Sequence, residues 1–125
     1  MKRDYLEFLI PDKFTKIVIA AGDSAIAKTV KKYDHLQIER RGNWAARTLN
    51  FGTNDRINPF IIIILLKEVA KVEVIAHEAL HAAYMMLTQI GDKPGVDNEE
   101  SVAYAIQYIV RQYENYFVTT KPKKG

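Results

Sequence analysis

At 125 residues the chain is expected to form one domain with room for a real core. Hydrophobic residues make up 48% and charged residues 26%, the ordinary balance of a soluble globular protein. The net charge of +3 owes much to the tail Lys121-Pro122-Lys123-Lys124-Gly125, so no basic face points to nucleic acid.

The expected organisation is a single domain over residues 1–120 and a disordered basic tail over 121–125. There is no cysteine, which removes disulfides and thiolate metal sites and leaves His and carboxylate as the only donors for a transition metal. No apolar h-region follows Met1-Lys2-Arg3, where Asp4, Glu7 and Asp12 come at once. That reading makes the cytoplasm the default location.

In chain order, Phe14–Ala20 (FTKIVIA) is rich in β-formers and predicts a first strand. Gly22-Asp23-Ser24 supplies a turn and an N-cap for a helix from about Ala25 to Tyr33. Leu36–Arg40 and Ala46–Phe51 alternate apolar and polar residues and predict short strands. Gly42-Asn43 and Gly52-Thr53-Asn54-Asp55 would join them as a meander. Phe60–Leu66 (FIIIILL) is apolar throughout, but charges at Lys67 and Glu68 stop it far short of the roughly 20 residues that a membrane span needs. It reads as a buried strand, and no membrane partner is expected.

A long helix follows, starting near Leu66–Val69 and stopped by Gly91 and Pro94-Gly95. It is apolar on nearly every side, which predicts burial. A second helix from about Asp97 or Asn98 carries the stripe Val102, Ile106, Ile109, Tyr113, Phe117. The expected fold class is α+β: a sheet of three or four strands, mainly antiparallel, packed on the long buried helix and on the C-terminal helix.

Within the long helix stands His77-Glu78-Ala79-Leu80-His81, an HExxH motif. Residues four apart on a helix share a face, roughly 6 Å apart along the axis. Two imidazoles there can offer lone pairs to one Zn²⁺. Glu78, about 100° round the helix from His77, is placed to take a proton from a metal-bound water. The bland alternative is a pair of core histidines hydrogen-bonded to backbone or to Glu73.

A zinc that does chemistry takes three protein ligands and keeps one open position. Glu99 and Glu100, at the start of the next helix, are the main candidates for the third; His35 is a remoter one. Glu99 falls on the apolar stripe, whereas Glu100 shares a face with Ala103 and Gln107. Either could instead serve as a first-turn acid that complements the helix dipole.

The segment HEALHAAYMML…NEESVAYAIQYI resembles the glutamate-type zincins, and more narrowly the small zincin-like proteins encoded by phages and prophages. In these an E-x-x-A-Y run follows HExxH at about twenty residues, and Glu100-Ser101-Val102-Ala103-Tyr104 matches it. The resemblance covers roughly residues 58–112. It implies a gluzincin-like ligand set of His77, His81 and Glu100, with Glu78 as general base and zinc as cofactor. The larger zincins carry an acid four residues after the ligand glutamate, where this chain has Tyr104. The imidazole's partner would then be Glu99, Glu73 or a backbone carbonyl.

The implied activity is zinc-dependent hydrolysis of peptide bonds in a peptide or protein substrate, docked as an added strand on the edge of Asn58–Leu65. Tyr104, Tyr108 and Tyr84 are candidates to steady the oxyanion. The competing expectation is a metal-holding interaction module without turnover.

Overall fold

Six apolar residues in a row, Phe60–Leu65, are stable as a strand only when covered on both faces. The computed structural model describes residues 5–10, 15–32, 46–51, 60–66 and 71–118. In chain order it contains β1 (Tyr5–Leu9), β2 (Lys16–Ala21), α1 (Asp23–Lys32), β3 (Ala46–Asn50), β4 (Phe60–Leu65), α2 (Val72–Gln89) and α3 (Glu99–Tyr113). A 3-10 turn, Val96–Asn98, leads into α3, and a short π-helical segment, Glu114–Val118, ends it. The strands form one sheet in the order β1-β2-β4-β3. The class is α+β.

The sheet is mixed: both outer pairings are antiparallel, in keeping with the expectation, and the central one is parallel. Its two central strands, β2 and β4, run parallel, from Lys16 opposite Phe60 to Ala21 opposite Leu65. The outer strands pair antiparallel with them. Parallel neighbours need a crossover, and α1 lies within it, covering one face of both. The first strand begins at Lys16 rather than Phe14, and β1, which was not expected, pairs beside it. The expected strand Leu36–Arg40 lies outside the described residues, as do the linking turns and the tail 121–125.

Pleating sorts the strand residues onto two faces. Ile17, Ile19, Ala21, Ile61, Ile63 and Leu65 face α2 and α3. Val18, Ala20, Phe60, Ile62 and Ile64 face Ala25 and Ile26 of α1.

The long helix is buried on one face only. Ile75, Glu78, Ala79, Ala82, Ala83, Met86 and Leu87 point inward. Leu80 and Tyr84 are 38% and 43% exposed, and His77 and His81 are exposed with them. Small alanines form the packed side, so sheet and helix approach closely while the larger apolar residues remain outside. Among the described residues no helix is long and apolar enough to cross a membrane.

Helix α2 ends at Gln89, with Ile90 as its C-cap, at the stop expected from Gly91. Gly91, with φ +76°, accepts the left-handed conformation, and its N–H donates to the Thr88 carbonyl while the Asp92 N–H donates to Leu87. That is a Schellman closure. Gly91→Ala has open space for its methyl group but must pay the left-handed penalty of roughly 1 kcal/mol or a little more. A urea titration is expected to show that fall as a lower midpoint with an unchanged slope. The following turn is held by Asn98, whose side chain accepts from the Gly95 N–H and donates to the Lys93 carbonyl. Asn98 sits at the N-cap of α3, yet its side chain braces the turn behind it rather than the helix ahead.

Candidate metal centre

Four residues apart on α2, His77 and His81 bring their rings together at a centroid distance of 4.9 Å. Their Nε2 atoms lie 3.3 Å apart. Zinc–nitrogen bonds of about 2.0–2.1 Å at a tetrahedral angle place two ligand nitrogens about 3.3–3.4 Å from each other. The same separation suits an N–H···N hydrogen bond in which one ring donates to the other. A metal ion would replace that proton. Both rings are exposed, so the alternative of a buried core pair does not describe them, and neither is hydrogen-bonded to Glu73 among the described residues.

Glu78 lies between α2 and the sheet, only 7% exposed. Burying a carboxylate is costly unless it is satisfied. Thr48 of β3 satisfies it, its hydroxyl donating to Glu78 Oε1 at 2.6 Å. The same hydroxyl is 3.3 Å from the Glu78 backbone carbonyl, but with one proton to give it favours the shorter contact. Thr48 was not found from sequence. It is thirty positions from Glu78, on a strand whose pairing partner had to be known first.

Beside Glu78 opens a cleft of about 250 Å³ lined by Ala46, Glu73, Val74, His77 and Glu78. Ala46, the first residue of β3, gives the cleft a small side chain on the sheet side. Further along the strand, Asn50 accepts from the side chain of Gln89, which in turn accepts from Thr15. Alternate residues 46, 48 and 50 therefore run along α2 from the cleft to the helix end.

Among the described residues, β3 is the outer strand on this side of the sheet. The Phe51 N–H donates to the Phe60 carbonyl at 2.9 Å, which makes residues 51 and 60 a hydrogen-bonded pair. Antiparallel alternation in the observed register then turns the backbone groups of Arg47 and Leu49 toward β4. Those of Ala46, Thr48 and Asn50 point outward. The expected docking edge on Asn58–Leu65 is corrected accordingly: β4 has β2 on one side and β3 on the other, so among the described residues the strand near the histidines with one side unpaired by another strand is β3.

The structure does not bring Glu100 to the imidazoles. Helix α2 continues eight residues past His81 (89 − 81 = 8), a rise of about 12 Å. The chain then turns and α3 starts at Glu99, leaving both glutamates at the far end of the hairpin. Glu99 borders a groove of about 450 Å³ with Tyr84, Val102 and Ile106. Glu100 is exposed, about 100° further round the helix, on the side of exposed Tyr104 and Gln107. Among the described residues no group of three or more His, Cys, Asp or Glu converges to hold a metal ion. His35 lies outside the described residues.

Of the three tyrosines, Tyr108 packs edge-on against Phe8 at 5.8 Å and Tyr104 stacks beside Tyr108 at 6.4 Å. Tyr84, one turn beyond His81 and exposed, is the one that shares the histidines' helix face. No family of known proteins, no curated protein and no solved structure matches this chain.

Proposed function

We propose that this chain is a zincin-like, metal-dependent hydrolase that cleaves peptide bonds. The observation that carries the reading is the imidazole pair at 3.3 Å next to a buried, hydrogen-bonded glutamate. An i, i+4 histidine pair at chelating distance is what the metal requires, and a structural site alone would have no use for a carboxylate at the position of Glu78.

His77 and His81 would hold the metal through Nε2, each with its remaining proton on Nδ1. A zinc ion bound there supplies a Lewis acid and lowers the pKa of a coordinated water toward neutrality. Glu78 takes the proton shed by the attacking water and passes it to the departing amine. The cleft at Ala46 admits the scissile peptide. The outward backbone groups of Ala46 and Thr48 hold it as an added strand. Placement in a bacterial cytoplasm, in a phage or prophage context, rests on the resemblance of HEALH and Glu100-Ser101-Val102-Ala103-Tyr104 to the small zincin-like proteins.

Two donors fit zinc and the expected third does not stand beside them. On the hairpin described, Glu100→Ala changes zinc affinity by less than about threefold, or roughly 0.6 kcal/mol, in a chelator-competition titration. A loss of about 100-fold would make Glu100 a ligand after all. The missing third donor among the described residues also favours a second reading, a metal-holding interaction module without turnover. Release of dye from fluorescein-labelled casein, with and without chelator, separates the two readings: chelator-sensitive release supports the hydrolase, and none supports the module.

A further inference from the structure

We propose that Thr48 is a positioning residue for Glu78 and the point at which substrate docking and base placement meet, an inference that rests on the hydrolase reading. A glutamate side chain has three torsions to fix, and a base works only when its carboxylate is held at the reacting centre. Among the described residues the hydrogen bond to that carboxylate comes from across the fold, from Thr48 at 2.6 Å, the length of a charge-assisted O–H···O⁻ bond. Threonine suits the task. Its β-branched side chain is stiff about χ1, so the strand backbone sets where the hydroxyl points. The bond engages Oε1 and leaves Oε2 for the proton that the reaction moves.

The backbone of Thr48 has a separate task. The hydrogen-bonded pair at Phe51 and Phe60, carried along the register, turns the Thr48 N–H and C=O to the outer edge of β3. A peptide strand added there would bond the main chain of the residue whose side chain steadies the base. Docking belongs to the backbone and base placement to the hydroxyl. Removing the hydroxyl should therefore slow turnover without weakening docking.

Zinc-loaded protein and fluorescein-labelled casein provide the test. Thr48→Val keeps the branched shape and loses the donor; Thr48→Ser keeps the donor. The expected result for Thr48→Val is a kcat lowered roughly 10- to 100-fold, with KM and zinc content within about twofold of the unaltered protein. Thr48→Ser should recover kcat to within about threefold. An unchanged kcat in Thr48→Val overturns the proposal, as does a serine variant as slow as the valine one.

A metal-free measurement decides the contact independently of turnover. In thermal unfolding, Thr48→Val, Glu78→Ala and the double variant form a cycle. The expected Tm loss of the double variant is smaller than the sum of the single losses. A strictly additive cycle overturns the tie between the two side chains. Should the unaltered protein release no dye, the hydrolase reading fails while the cycle still rules on the contact.

Discussion

Glu78→Gln is expected to remove hydrolysis and leave the metal in place. The amide keeps the size of the carboxylate and can still accept from Thr48, whose hydroxyl lies 2.6 Å from Oε1, so the packing between α2 and β3 survives. The lost property is basicity. General-base catalysis contributes typically 10²- to 10⁴-fold, and casein cleavage should fall by a factor in that range. Zinc content per chain, read by atomic absorption, should not change. Retained cleavage would remove Glu78 from the chemistry; loss of zinc together with activity would give Glu78 a role at the metal instead.

His77→Ala, and separately His81→Ala, are expected to abolish metal binding while barely altering the fold. Both rings are exposed, and surface changes away from special features usually lie within about 0.5 kcal/mol. Their contribution is to the metal, where each ring is one of two donors converging at 3.3 Å. Loss of a direct ligand should cost more than the 10- to 100-fold typical of the groups that merely orient ligands. Chelator competition is expected to show zinc affinity lower by at least about 100-fold in each variant, with the Tm of the metal-free protein unchanged. A large Tm fall with affinity intact would describe two packing residues and no metal site.

Much of the framework was legible because single residues leave few choices. Phe60–Leu65 admits no exposed face, and it stands at the centre of the sheet with all six residues buried. Gly91 and Pro94-Gly95 stop a helix wherever they stand, so the hairpin of α2 and α3 followed from them. The stripe through Val102, Ile106, Ile109 and Tyr113 is the face that α3 turns to the core. The HExxH spacing alone brought two imidazoles together.

The remainder depended on pairings that local pattern does not carry. Alanines and large apolar residues both raise the apolar content of α2, so the helix read as buried all round. Packing put Ala79, Ala82 and Ala83 inside and left Leu80 and Tyr84 partly in solvent. The eighteen residues between His81 and Glu100 (100 − 81 − 1 = 18) are enough for a chain to return. Most are spent on extending α2 and making the turn, which leaves Glu100 at the wrong end of the hairpin. The parallel register of β2 with β4, and the place of β3 outside β4 among the described residues, are non-local facts. With them comes the contact between Thr48 and Glu78, which no motif announces.

The central claim is a cation shared by His77 and His81, and anomalous diffraction from crystals grown with zinc tests it most directly. Data recorded on both sides of the zinc absorption edge should give one strong peak, about 2.0–2.1 Å from each of the two Nε2 atoms. A map with no peak between those nitrogens, or with its only peak at a distant site, contradicts the claim.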